Sequence, residues 1–485
     1  LPLEVELKLD LAPEAADALG ASTLLPGAAR KVKQHALYFD TPAHALRRNG
    51  LSLRIRKSGT KRVQTVKADN AKAAGLYARP EWEMPVKNDT PIVDDRTPIT
   101  MLLGEGVSTI APIFEVKIER HIWVIEEGGA QIELALDRGT AIAGERHAPI
   151  CEVELELISG PPQALFDFAR RIDAIAPARL GVLTKSGRGY TLLELRSSTF
   201  KAEPVSLDHT MTVAQSFQTI AQNAIHHYRL NEVVLLNARE PEALHQARVA
   251  LRRLRSAISI FKALLDASQT AHFKAELQWL AAILGRARNL DVIVKRLKPG
   301  PLYDRIDAAR SHAYAAVEEV LAAKRVRTLM LDLAQWLAEA PWSSAPETAD
   351  MSNKPIGHVA VDILNRLRKR VRQNAANIEQ MEDEARHQLR KDAKRLRYAA
   401  DFFVGVFNSA KQRRRHRKFG KALERLQDQL GALNDLAMAP AVLAELGLTR
   451  DKEAMSLIKG SRKGKLLTTA AKAHDDLVDT KKFWL

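Results

Sequence analysis

Charge falls at every second position in five short segments of the first 190 residues, with aliphatic or aromatic residues between. These are residues 4–8 (EVELK), 53–56 (LRIR), 81–83 (EWE), 133–137 (ELALD) and 152–157 (EVELEL). In a β-strand, residues two apart point the same way, roughly 6–7 Å apart, so each segment has one apolar and one charged face. The charges are sorted: acids dominate four segments and an arginine pair occupies the other. If such strands curl into a barrel with the charged faces inward, acids and bases meet in one lumen. Buried charges in that number are tolerated only if they neutralise each other, hold cations or receive a polyanion. The pattern therefore points to a metal–phosphate site.

The candidate lining follows from charge. Glu4, Glu6, Asp137, Glu152 and Glu154 offer carboxylate oxygens suited to a hard divalent cation, Mg²⁺ or Mn²⁺. Lys8, Arg54, Arg56, Lys67 and Arg120 offer the ammonium and guanidinium groups that a triphosphate needs. A late cluster adds Lys185 and Arg188. Lys185 is the candidate catalytic residue, a general base if neighbouring cations depress its pKa. Phosphoryl transfer otherwise depends on positioning and charge, so no nucleophilic side chain is required.

The chain of 485 residues is long enough for two or three domains, and its net charge of +16 is unevenly spread. Residues 1–204 hold 27 bases and 27 acids, whereas 205–485 hold 47 bases against 31 acids. Up to about residue 195 the pattern has mostly period two, with helices expected at 13–19, 99–103 and 162–175. Residues 196–209 read as a linker, and from 210 nearly every stretch has helical period. The expected divisions are 1–195, 196–209 and 210–485. A Pro/Ser-rich interruption at 341–355 separates two similar halves, about 210–340 and 356–485. The stretch 245–255 (HQARVALRRLR) recurs as 387–397 (HQLRKDAKRLR), and Leu284, Gly285, Asn289 and Asp291 echo as Leu430, Gly431, Asn434 and Asp435.

On a helix, positions i, i+3, i+7 and i+10 form one stripe. That stripe is His245, Arg248, Arg252 and Arg255 in the first half, and His387, Arg390, Lys394 and Arg397 in the second. A cationic stripe repeated at one spacing suits a repeated-phosphate ligand, with the histidines as phosphate contacts. Residues 413–418 (RRRHRK) can extend the patch. Stripes without interleaved aromatic rings argue against nucleic acid. The single cysteine, Cys151, excludes an internal disulfide, and no apolar run reaches membrane-span length. A cytoplasmic protein, with polyphosphate granules as a potential location, is the expectation.

These motifs carry two resemblances. Residues 1–195 resemble the CYTH family, the triphosphate tunnel metalloenzymes, through 4–8 (EVELK), 38–41 (YFDT), 53–56, 65–67 (TVK), the two acidic strands at 133–137 and 152–156, and 185–190. The resemblance implies an eight-stranded antiparallel tunnel with metal at the five acids and phosphate on the basic set. It favours Arg120 over Lys117, which points to the opposite face of the same strand. Residues 205–485 resemble the CHAD family, duplicated helical bundles that bind inorganic polyphosphate. The expected fold is thus α+β and multidomain, a β tunnel barrel followed by an all-α duplicated bundle. Two-domain members with this organisation are most similar to inorganic triphosphatases. Adenylyl cyclase, nucleoside or thiamine triphosphatase activity in the same tunnel stays open as an alternative, as does a non-catalytic polyphosphate-binding protein.

Overall fold

The alternating segments all lie in strands. The structure, a computed structural model, describes residues 4–68, 75–194, 199–343, 345–374, 377–451, 453–455 and 463–485. By contact these form two units. Unit 1 holds Leu1–Phe200, Ile225–Ala243 and Val320–Glu339; unit 2 holds Lys201–Ala224, Leu244–Glu319 and Ala340–Leu485.

Unit 1 is built on the strands β1 (Glu4–Leu11), β2 (Arg30–Asp40), β3 (Leu51–Ser58), β4 (Lys61–Ala68), β5 (Leu76–Arg79), β6 (Glu81–Pro85), β7 (Ala111–Glu127), β8 (Ala130–Ala143), β9 (Arg146–Ser159) and β10 (Ala178–Leu180). The sheet runs β10-β1-β9-β8-β7-β2-β3-β4-β6, and β5 pairs with β1. Every pairing is antiparallel. Only Pro80 separates β5 from β6, and proline has no N–H to give a ladder. The pairing that leaves β4 through β6 therefore returns through β5 to β1, and the sheet curls upon itself. Seven strands and the β5–β6 segment make up the ring, in keeping with an eight-stranded tunnel.

Strands β1, β3, β4, β8 and β9 bury an apolar face outward from the lumen, whereas β7 turns Glu115, Lys117 and Glu119 outward. Leu7 and Leu9 of β1 and Val153 and Leu155 of β9 are fully buried on the side that α1 (Pro13–Gly20) and α4 (Gln163–Ile175) cover. Leu53 and Ile55 of β3 and Val66 of β4 pack with Leu46 of α2 (Ala45–Arg48) and Ile99 of α3 (Ile99–Leu103).

Toward one end the lumen face also becomes apolar. Ala36, Tyr38, Phe114, Val116, Ile118, Ala141 and Ile150 close around Tyr190 of α5 (Lys185–Leu193). This helix, at KSGRGYTLL, is absent from the sequence expectation because two glycines depress its propensity. Packing explains one of them: a Cβ at Gly189 would stand 2.1 Å from the Phe114 ring. Thr184 caps the helix by accepting from the Gly187 N–H at 3.0 Å.

The helices that follow are α6 (Val213–Asn237), α7 (Pro241–Ile260), α8 (Ala267–Val294), α9 (Pro301–Ala322), α10 (Lys324–Glu339), α11 (Pro346–Asn353), α12 (Ile356–Gln373), α13 (Asp383–Phe402) and α14 (Ala410–Glu445), then Lys463–Asp479. The C-terminal part of α6 and all of α10 belong to unit 1. Arg327 Nε of α10 pairs with Asp173 Oδ1 of α4 at 2.5 Å, and Arg170 Nη2 with Asp332 Oδ1 at 2.7 Å. The interruption at 341–355 holds α11, with Pro346 at its first turn where a missing N–H costs nothing. Of the expected linker, 196–198 lie outside the described residues and 199–208 carry no helix or strand. The repeated basic segments lie on α7 and α13, and the repeated Leu-Gly pairs lie on α8 and α14.

Asp40, fully buried, ties α5 to the barrel. It accepts from the N–H groups of Thr41, Leu46 and Arg47 at 2.7, 2.8 and 3.1 Å, and from Tyr190 Oη at 2.7 Å. Tyr190→Phe keeps the ring and removes one donor to a carboxylate. It should lower stability by about 1.5–3 kcal/mol, read as a shift in urea midpoint. An unchanged midpoint would show that Asp40 is satisfied by its backbone donors alone.

Candidate functional site

The lumen of unit 1 is a cavity of about 850 Å³. Register decides what faces it. Lys8 of β1 lies opposite Glu154 of β9, Asp10 opposite Glu152, Glu152 opposite Asp137 of β8, and Asp137 opposite Arg120 of β7. One charged band thus crosses four strands: Arg120 on β7, then Asp137, Glu152 and Asp10 side by side on β8, β9 and β1, with Lys8 and Glu154 as the next pair along. Arg120 donates through Nε and Nη2 to both Asp137 oxygens at 2.7 and 2.6 Å, and also pairs with Glu154. Lys117 lies on the other face, exposed, with Glu115 at 2.6 Å.

Two ammonium groups enter the same band. Lys8 Nζ lies 3.0 Å from Glu152 Oε1 and 3.4 Å from Glu6 Oε1, and pairs with Glu154. Room for its stem comes from Gly181, where a Cβ would stand 2.7 Å from Lys8 Cγ. Lys185, at the first turn of α5, places Nζ 2.6 Å from Asp137, 2.6 Å from Glu152 and 2.7 Å from Glu154. Those three acids bring one oxygen each within 4.8 Å of one another. Arg188 Nη2 donates to Asp10 at 2.6 Å and lies 3.4 Å from Glu152 Oε2.

The electrostatics follow from this pairing. Burial by itself raises the Glu152 pKa, but Lys185, Lys8 and Arg188 outweigh it and hold it at about 2. Glu154 is held well below the carboxylate range by Lys185, Lys8 and Arg120, again against burial. Burial opposes the charge on Lys185, yet Asp137, Glu152 and Glu154 outweigh it and raise its pKa. The setting differs from the one expected: the close partners of Lys185 are three carboxylates, which raise its pKa against burial and the neighbouring Lys8.

Four strands round the ring from β9, the lining changes sign. Arg54 and Arg56 of β3 enter the cavity, with Lys67 and Thr65 of β4 and Tyr38 of β2. Arg56 lies 3.5 Å from Glu83, and Lys67 pairs with Glu81 at 2.8 Å. The Arg54 Nε is buried without a hydrogen-bond partner. Arg56 has a lowered pKa, chiefly because Arg54 stands beside it.

In unit 2, Arg248 and Arg252 of α7 meet Arg390 and Lys394 of α13. Burial, then Arg252, Arg288 and Arg390, depress Arg248 to about 10. Burial, then Arg252, Arg390 and Arg248, depress Lys394 to about 6. Buried nitrogens of Arg252, Arg288 and Arg390 have no hydrogen-bond partner. The repeated glycines make room: a Cβ at Gly285 would stand 3.3 Å from Arg248 Nη2, and one at Gly431 would stand 3.9 Å from Arg390 Nη2.

Comparison with known proteins agrees with both halves. Residues 2–190 match the model of the CYTH domain and residues 219–444 that of the CHAD domain. The chain is a CYTH domain followed by a CHAD domain. A relative from Haemophilus influenzae, an inorganic triphosphatase, is 33% identical over 194 residues, 39% of this chain and 54% of the relative. The chain thus spans about half the length of that curated relative. An uncharacterized protein of Mycobacterium tuberculosis is 26% identical over 407 residues, covering 75% of each chain. The crystal structure of the CHAD domain from the plant Ricinus communis has 28% identity and a TM-score of 0.48, covering 58% of this chain and 97% of that one.

In the CYTH barrel, Glu6, Lys8, Arg54, Arg56, Lys67, Arg120, Glu154 and Lys185 line the cavity. Asp137 and Glu152 are fully buried behind them, and Arg188 supports Glu152 from outside the lining. The Glu4 side chain lies outside the described residues, although its backbone pairs with β5. The candidate lining left out Asp10, Tyr38, Thr65, Glu81 and Glu83, although 38–41, 65–67 and 81–83 stood among the motifs. Asp10, Glu81 and Glu83 continue the same alternation, which was the signal available. In the CHAD domain four of the eight expected residues cluster. Arg255 instead has Arg395 as its cationic neighbour. Arg397 lies 3.9 Å from Asp401 and 3.2 Å from Gln427, and His387 contacts Asn434 at 2.6 Å.

The Lys394 setting has a pH signature. A lowered folded-state pKa means that the unfolded chain binds more protons between pH 6 and the usual lysine range. Stability without polyanion should therefore rise with pH across that window. Urea midpoints measured between pH 6 and 9.5 should climb, and Lys394→Met should flatten the climb. A slope that Lys394→Met leaves intact would place its origin elsewhere.

Proposed function

We propose that the CYTH domain hydrolyses inorganic triphosphate with Mg²⁺ or Mn²⁺, and that the CHAD domain binds long-chain polyphosphate. The observation that carries the reading is the sorted lumen, with clustered carboxylates on one wall and Arg54 and Arg56 on the facing one. The printed name of the Haemophilus influenzae relative, an inorganic triphosphatase, supports it. The proposed domain limits are 1–195 and 210–485, joined by 196–209. Among the described residues no helix is long and apolar enough to cross a membrane. Cytoplasmic location, near polyphosphate granules, belongs to the same proposal.

The donor set fits a divalent cation. Asp137, Glu152 and Glu154 converge, and the buried Glu6 Oε1 has no hydrogen-bond partner. Glu4 would complete the set. When bound, the cation would offset triphosphate charge and acidify a water molecule. The chain's own residues do the rest. Arg54 and Arg56 grip non-bridging oxygens, with Lys67 and Arg120 beside them. Lys8 and Lys185 keep Glu152 and Glu154 ionised and together. Their ammonium groups also limit the repulsion that a bare acidic wall would exert on a phosphate chain.

Phosphate release from tripolyphosphate, ATP, thiamine triphosphate and long-chain polyphosphate, with each metal and with chelator, tests the first part. Tripolyphosphate should be the preferred substrate and chelator should stop turnover. Glu154→Gln and Glu4→Gln should abolish turnover without unfolding the chain. Arg54→Ala or Arg56→Ala should remove about 1.5–3 kcal/mol of binding, roughly a 10- to 100-fold loss in kcat/KM. Faster hydrolysis of ATP than of tripolyphosphate would overturn the substrate assignment.

For the second part, the full chain in chelator should bind polyphosphate with an affinity that falls as salt rises. Charge reversal at Arg248 and Arg390 should weaken binding more than reversal at the exposed Arg414 and Arg417, which carry equal charge away from the cluster. Equal affinity for double-stranded DNA would reduce the assignment to a generic basic surface.

A further inference from the structure

Arg229 lies on α6, within the residues matched by the CHAD model, yet it belongs to the barrel unit. Its side chain is 1% exposed. Nε donates to the Leu180 carbonyl at 2.8 Å and Nη1 pairs with Glu232. Nη2 is buried with no hydrogen-bond partner and faces Asp10 Oδ2 at 3.9 Å. A buried charged donor without a partner is costly, so the placement calls for a reason. Asp10 supplies one. Its other oxygen takes Arg188 at 2.6 Å, and the same Arg188 nitrogen stands 3.4 Å from Glu152 Oε2. Arg188 is therefore shared between two acids that face each other across β1 and β9. Arg179, the register partner of Asp10 on β10, adds a further cation beside it.

We propose that Arg229 is a positioning residue for the lumen carboxylates, setting through Asp10 how closely Arg188 is drawn to Glu152. Positive charge beside Asp10 weakens its hold on Arg188 and leaves that guanidinium near Glu152. Without Arg229, Asp10 takes Arg188 for itself and Glu152 is freed toward the lumen. The inference rests on the reading of Glu152 as part of a divalent-cation site.

The test is Mn²⁺ titration of the full chain by calorimetry, without substrate. Arg229→Gln alone would strand the buried Glu232, so it is paired with Glu232→Gln, which also leaves local net charge unchanged. The pair should bind Mn²⁺ roughly 3- to 10-fold more tightly than the unaltered chain. In an Asp10→Asn background the same pair should change nothing, because the route through Asp10 is gone. Arg170→Gln with Asp332→Asn, an ion pair between α4 and α10 that does not touch Asp10, Arg179, Arg188 or Glu152 among the described residues, should leave Mn²⁺ affinity unchanged. Unchanged affinity in the Arg229 pair overturns the proposal, as does an equal gain with Asp10→Asn present. Failure of the Arg229 pair to fold also overturns it, since the residue would then be structural. Absence of Mn²⁺ binding by the unaltered chain overturns the cation reading itself, and the inference with it.

Discussion

Neutralisation across β1, β9, β8 and β7 is the interaction on which the barrel depends. Asp137, Glu152 and Glu154 sit within 4.8 Å of one another, a spacing that like charges hold only when opposite charge is interleaved. Lys8, Lys185, Arg120 and Arg188 provide it, each from a different element or position. The remaining construction serves that interleaving. Gly181 makes room for Lys8, the Asp40–Tyr190 contact fixes the helix carrying Lys185 and Arg188, and antiparallel register sets Arg120 against Asp137. A buried charge network of this kind contributes little net stability against an apolar core of equal volume. Its presence is better explained by what the lumen receives.

The CHAD domain uses the opposite solution. Arg248, Arg252, Arg390 and Lys394 converge with Arg288 nearby, and Asp435 is the acid that acts on Arg390 and Lys394. Cations crowd there without the interleaved carboxylates of the barrel, so Lys394 is driven down to about 6. The barrel wall is balanced by its own counter-charges, whereas the helical cluster keeps an excess of positive charge. The two domains thus arrange charge differently: interleaved acids and bases in the barrel, and cations in excess of their acids in the helical cluster.

Much of this was legible in the chain. Period-two alternation marks the strands at 4–8, 53–56, 81–83, 133–137 and 152–157, and strand geometry then sends Glu152 and Glu154 to one face. The recurrence of HQxR on α7 and α13 marks the paired helices. Other features were hidden for definable reasons. The helix at 185–193 was masked by Gly187 and Gly189, the second of which serves packing against Phe114 rather than flexibility. The charge state of Lys185 depends on partners 31 to 48 positions away in sequence, and spacing carries no information about them. Arg229 resembles any arginine of a helical stretch until its burial is known.

The sequence by itself determined which faces are charged, which residues share a face and that the helical half is duplicated, because side-chain periodicity is a local property of backbone geometry. Only the tertiary structure decided which charges meet. Ring closure through β5 and β6 brings the arginines of β3 round to face the carboxylates of β9. The fold of α5 delivers Lys185 to three acids at once, and the packing of α6 sets Arg229 against Asp10. Those encounters follow from register, curl and helix docking, which are summed over the whole chain. The pKa of a buried group is fixed by its neighbours in space, and those are chosen only when the fold is complete.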